Sequence, residues 1–153
     1  MNMVLGRFAM GGRLGRSVRE EQGMAYYTYS AVDAGLGPGP FVVRAGVQAV
    51  HVEPAVKSIL AEIERIRSEP VAEEELENAK LAMVRSLPRM LESNEGIAGF
   101  LHQVELFDLG ADYLDRYAEA IGAIDSAAVT AAARDLLDPE HYALAIAGPY
   151  AAD

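Results

Sequence analysis

Cysteine and tryptophan are absent from these 153 residues, and histidine occurs only three times. Without cysteine there is no disulfide framework, no thiolate metal site and no cysteine nucleophile. His51, His102 and His141 are too far apart in sequence to form the i, i+4 pair that grips zinc from one helix. His102-Gln103-Val104-Glu105-Leu106 opens like H-x-x-E-H, but leucine stands where the second ligand belongs. A catalytic zinc needs at least three protein ligands, so no metal or cofactor is expected in this chain. No apolar run approaches the roughly 20 residues that cross a bilayer. The first residues also lack the basic-then-apolar pattern of a signal peptide. Cationic charge is scarce, with 13 Lys and Arg against 23 Asp and Glu and a net charge of −10. Such a surface repels phosphates, which argues against nucleic acids and anionic membranes as partners. A soluble, cytoplasmic domain is the expectation.

The residues that remain are those of an ordinary globular protein, 51% hydrophobic and 24% charged, within the range of a single domain spanning 1–153. Residues 1–8 read as the end of a helix, Gly11-Gly12 as a break, and residues 14–18 as a short helical turn. Gly23 supplies a positive-φ stop, followed by a tyrosine-rich strand over residues 24–34. The glycine and proline cluster at 35–40 turns the chain into a second strand over 41–47, most simply an antiparallel hairpin. Helices follow. Pro54 suits a first helical position, and Val56, Ile59, Leu60, Ile63 and Ile66 mark a buried stripe. The next helix starts near Glu73 and is expected to kink or break at Pro88. Ser93 caps a third helix running through Leu106, and two more cover residues 112–121 and 126–137. An apolar strand at 141–147 closes the chain. Helices clustered between strands predict an α+β fold, a two-layer sandwich of a mostly antiparallel sheet covered by helices. The abrupt start suggests that an amino-terminal strand is missing and that the chain is a fragment of a longer one.

Chemistry concentrates in Val18-Arg19-Glu20-Glu21-Gln22-Gly23-Met24-Ala25-Tyr26. The helix-to-strand corner carries Arg19 and Tyr26 to places where their side chains can converge on a peptide carbonyl. The guanidinium offers planar donors, and the phenol can donate to an oxyanion as it develops. On the plainer reading, Arg19 pairs with a nearby carboxylate and Tyr26 packs as an amphipathic strand residue. By alternation Tyr26 shares a face with Thr28, while Tyr27 and Tyr29 point the other way. A one-residue slip makes Tyr27 the candidate instead. The acidic run Glu73-Glu74-Glu75-Glu77 reads as a solvated helix start with a weak Glu77–Lys80 pair, and Arg13 and Arg16 as solvated surface charges. The early glycines do not match G-x-G-x-x-G, and no serine occupies a nucleophile elbow.

Leu5-Gly6, Arg13-Leu14, Val18-Arg19-Glu20, Gly23-Met24-Ala25-Tyr26 and Ser30 resemble the carboxyl-terminal, non-zinc half-domain of the insulinase/pitrilysin-type (inverted-zincin) metallopeptidases. Glu75-Leu76-Glu77-Asn78-Ala79-Lys80 is similar to that family's Glu-Leu-x-x-Ala-Lys helix start. Gly11-Gly12 stands where the family usually has a serine pair. The resemblance implies a half-domain that closes like a clamshell against a second half carrying zinc on H-x-x-E-H. It further implies that Arg19 binds substrate and Tyr26 both binds substrate and assists catalysis. The expected function is the substrate-binding, non-zinc half of a zinc-dependent endopeptidase, inactive alone. Its partners would be a peptide and a zinc-bearing half-domain, in the same polypeptide or a separate subunit. The alternative is a non-catalytic interaction or scaffold subunit with the same fold. An open sheet edge would also allow a homodimer.

Overall fold

Gly23 and the turn cluster at 35–40 delimit the sheet, as the sequence predicts. The computed structural model describes residues 1–7, 12–33 and 35–149. Strands β1 (Ala25–Val32) and β2 (Phe41–Val47) pair antiparallel, from Val32 opposite Phe41 to Ala25 opposite Val47. Two short helical segments precede β1, Met3–Arg7 and Gly15–Glu21, both wound wider than an α-helix. Phe8, Gly11 and Ala34, expected at a helix end, a break and a strand end, lie outside the described residues.

Five helices follow the hairpin: α1 (Val52–Ser68), α2 (Glu73–Met90), α3 (Asn94–Leu106), α4 (Tyr113–Gly122) and α5 (Ser126–Leu136). Pro54 is the third residue of α1 rather than the first, because a 3-10 turn over Ala49–His51 extends the helix upstream. First-turn N–H groups lack helical partners anyway, so the ring costs nothing there. Glu73, Glu74 and Glu75 occupy the first turn of α2, where the helix dipole favours negative charge. Ser93 Oγ accepts the Gly96 N–H at 3.0 Å to cap α3, and Asp125 Oδ1 accepts the Ala128 N–H at 2.7 Å to cap α5.

Two expectations are corrected. Pro88 does not break α2. It lies in the last turn, and the helix closes normally through the Leu91 N–H on the Leu87 and Pro88 carbonyls. Residues 141–147 form no strand. Leu144 to Pro149 run beside β2 but are separated from it by a cleft of about 280 Å³, lined by Val43, Gly46 and Val47. Apolar alternation alone cannot supply ladder hydrogen bonds when the neighbouring edge is not in reach. Among the described residues the sheet is thus the two-stranded hairpin alone, and the architecture is α+β and mostly helical.

One face of the hairpin is buried: Thr28 is 2% exposed and Ser30 1%. Val4, Leu5 and Leu14 from the opening segments join Ile66, Val71, Leu76, Val129, Ala133 and Leu137 in one core, with Phe41, Val43 and Ile59 packed against it. Val18, Met24, Ala25 and Ala55 form a second, smaller cluster beneath the helix-to-strand corner. By contrast α3 buries no residue, and Ile97, Leu101, Leu106 and Phe107 stand exposed along it and just after it.

Candidate functional site

The corner between the Gly15–Glu21 segment and β1 is fixed by its backbone. Gly23 takes φ +62°, which only glycine adopts without strain. Its N–H donates to the Arg19 carbonyl at 3.1 Å, and the Met24 N–H to the Val18 carbonyl at 3.0 Å. The first of these is the left-handed helix closure expected of a glycine stop. Val18 is fully buried, which pins the end of the segment and leaves Arg19 partly exposed beside it.

Two residues beyond Met24 the ladder is irregular. Ala25 pairs with Val47 and Tyr27 with Gly46, so Tyr26 is an extra residue on β1. This bulge corrects the expected face: Tyr26 does not follow Thr28 inward but is 86% exposed. Bulges re-aim a side chain and recur next to active sites. Tyr27, 48% exposed, lies over the bare Gly46 backbone, where an added Cβ would strike its ring at 2.5 Å. It meets Tyr26 edge-on at 6.5 Å and Tyr29 at 6.1 Å between ring centroids. Arg44, opposite Tyr29 in the register, donates from Nη1 to the Tyr29 hydroxyl at 3.3 Å. That hydrogen bond is the main reason the Arg44 guanidinium holds its proton even more tightly than usual. The sequence reading passed over Arg44, although its place across from Tyr29 follows once the hairpin register is set.

Neither Arg19 nor Tyr26 lines any of three clefts of about 500, 280 and 520 Å³, while Tyr27 lines the second. Tyr26 therefore faces solvent, with Arg19 half-buried on the preceding segment.

The two groups of motif residues meet through space. Arg13 is not a solvated charge: it is 7% exposed and makes a bidentate pair with Glu75, Nε to Oε1 at 2.9 Å and Nη2 to Oε2 at 2.8 Å. Glu75 is accordingly more than a solvated helix start. Leu5 and Leu14 are fully buried, and a Cβ on Gly6 would strike Leu14 Cδ1 and Ser30 Oγ at 2.8 Å. Ser30 in turn donates to Asn2 Oδ1 at 2.7 Å. Lys80 pairs with Glu77 at 2.8 Å as expected, and also reaches the Gly122 carbonyl at the end of α4 at 3.1 Å.

The described residues form no site that would hold zinc. Among the described residues no three His, Asp or Glu side chains gather as a ligand group. His51 ends the 3-10 turn, His102 lies on α3, and His141 pairs with Asp138 at 2.7 Å beyond α5. No helix is long and apolar enough to cross a membrane among the described residues.

Comparison with known proteins agrees with this arrangement. Residues 1–83 match the family model described as the peptidase M16 inactive domain. An uncharacterized zinc protease of Bacillus subtilis (strain 168), YmxG, is 30% identical over 149 residues, covering 97% of this chain and 36% of that protein. The crystal structure of a peptidase M16 inactive domain from Pseudomonas fluorescens superposes with a TM-score of 0.81 at 26% identity, over 90% of this chain and 33% of that one. A putative zinc protease from Bordetella pertussis Tohama I shares the fold, with a TM-score of 0.67 at 18% identity over 88% of this chain and 73% of that one. The chain spans about a third of the length of the first two.

Proposed function

The chain belongs to the peptidase M16 family as an inactive domain related to zinc proteases, and from that premise we propose that it is the substrate-binding, non-zinc half of a zinc-dependent endopeptidase. The observation that supports this most is the bulge that turns Tyr26 out to solvent just past the corner holding Arg19. A strand residue whose only task is packing has no need of an extra position in the ladder.

In this reading the two side chains divide the work on an extended peptide. Arg19 donates N–H groups to substrate carbonyls without losing its own charge. Tyr26 donates its hydroxyl to the oxygen of the scissile carbonyl as negative charge develops there, an effect on the order of 3 kcal/mol for a preorganised donor. Water activation belongs to the zinc-bearing half, fused or separate, which closes over the corner. The isolated chain is catalytically silent.

Reconstitution tests the proposal. Adding the chain to a zinc-bearing half that carries H-x-x-E-H is expected to raise peptide cleavage. Tyr26→Phe should then lower kcat about 100-fold, and Arg19→Ala should chiefly raise KM. No gain on mixing, or full activity in both variants, would refute it. The scaffold reading draws on the uncovered apolar side of α3. It gains if the chain joins a stable complex yet ignores extended peptides.

A further inference from the structure

The hairpin has one ladder and leaves the far edge of β2 open. The Asp33 N–H donates to the Pro40 carbonyl at 3.0 Å, and these two residues stand opposite each other in the register that puts Val32 across from Phe41. Antiparallel pairs alternate between bonded and unbonded. Val42, Arg44 and Gly46 therefore turn their main-chain groups toward β1, while Phe41, Val43 and Ala45 turn theirs away from it. Among the described residues no backbone group takes up that outward row. Facing it is the chain after α5, and its main chain over 142–149 likewise makes no backbone hydrogen bond among the described residues.

Between these two rows lie adjoining clefts of about 280 and 520 Å³, which share Val43, Val56, Ile59 and Leu144. Together they form a trough with β2 and the tail as walls and α1 as floor. No charged side chain lines the smaller cleft, in a chain of which 24% is charged. The larger one has Asp138 and His141, which pair with each other. The floor supplies a separate observation. The apolar stripe of α1 is sealed at Ile66, which is fully buried, yet Val56, Ile59, Leu60 and Ile63 on the same stripe are only half-buried. These four are the ones that line the trough. A stripe of this kind is built to be covered, and here it is bare where two unpaired main-chain rows flank it.

We propose that an uncharged, extended strand of another polypeptide, apolar on one face, lies in this trough. It bonds β2 through Phe41, Val43 and Ala45 on one edge and the tail on the other, and its apolar face covers the α1 stripe. Main-chain bonds supply affinity in such strand addition, and alternate side chains supply specificity. Charged residues are rejected along the smaller cleft, where a carboxylate or ammonium would lose its water without gaining a partner. Neither Arg19 nor Tyr26 lines the trough, so the proposal does not rest on their assigned roles. The occupant is a strand that completes the sheet rather than a passing substrate, because the surface it covers continues directly into the core at Ile66.

Nuclear magnetic resonance on the full chain tests this with an acetylated, amidated heptapeptide of alternating valine and threonine between two end lysines. The peptide is expected to bind and to slow hydrogen exchange at the Val43 and Ala45 amides at least tenfold, while Arg44, already bonded to β1, changes little. A copy N-methylated at every valine should bind about tenfold more weakly, the scale of losing one or two main-chain hydrogen bonds. Val56→Glu should weaken binding at least as much by placing a charge on the floor. Val56 belongs to neither core cluster, so the variant is expected to fold; should it not, the N-methylated copy still decides. No binding at millimolar concentration, or equal binding by the N-methylated copy, overturns the proposal. So does slow exchange at Val43 and Ala45 before any peptide is added, which would mean that the tail closes the trough itself. Cleavage of the bound heptapeptide by an added zinc-bearing half would make the trough a substrate channel and equally overturn it.

Discussion

Arg13 shows how much a single side chain can hide from the sequence. In a chain where acidic residues dominate, an arginine near two others reads as a solvated charge, yet here it is buried against a glutamate 62 residues away. Removing one partner of a buried pair strands the other's charge. Arg13→Met is therefore expected to cost on the order of 3 kcal/mol, and adding Glu75→Met should restore much of it; urea unfolding of the single and double variants measures both. The corner between Arg19 and Tyr26 was legible because Gly23 stops the helix there. Arg44 was not, because only the register reveals what faces it. A titration provides a separate check. The Arg116 guanidinium bonds Asp112 at 2.8 and 3.1 Å and holds its carboxyl below the ordinary range. A group with a depressed folded pKa contributes stability above its unfolded value and loses it as pH falls through the folded one. NMR titration should place the Asp112 midpoint below that of a free aspartate, and Arg116→Gln should return it to the normal position.

Among the elements, those specified by local chemistry could be read directly. Ser93 caps α3, Gly23 ends the Gly15–Glu21 segment, and the glycine and proline cluster makes a hairpin. Each is decided within a few residues. The misjudged elements depended on distant neighbours. Residues 141–147 have strand-like composition but no ladder partner, and Pro88 falls too near a helix end to interrupt it. The bulge at Tyr26 has no signature in composition and is visible only as a mismatch between two strands. Gly23 offers the sharpest test at this level. Nothing crowds a Cβ there, but the backbone is left-handed, so Gly23→Ala should destabilise by about 1 kcal/mol through conformation alone. Thermal unfolding measures the loss. In a reconstituted enzyme the same change should disturb Arg19, whose carbonyl the Gly23 N–H holds.

For the molecule as a whole, the accessible surface is 10,248 Å², against about 7,500 Å² for a typical monomer of this mass. The excess exceeds what one partner contributes to a standard interface, roughly 800 Å². Much of it is apolar: Leu101, Phe107, Leu136, Tyr142 and Leu144 are all exposed. Where such side chains adjoin, they offer a surface for another molecule to cover. The isolated chain should bind the dye ANS strongly and self-associate in analytical ultracentrifugation, and a zinc-bearing half should suppress both. The α+β class was readable from element order, whereas the extent of uncovered surface was not, because burial depends on packing rather than composition. One further consequence comes from the Arg13–Glu75 bridge and the core that unites Val4, Leu5 and Leu14 with Ile66, Val71, Leu76, Val129, Ala133 and Leu137. They fasten the front of the chain to its helical body independently of the peptide links at 35–40. A protease that nicks that turn would cut the covalent thread while leaving two fragments clasped together, running as one particle until a denaturant parts them.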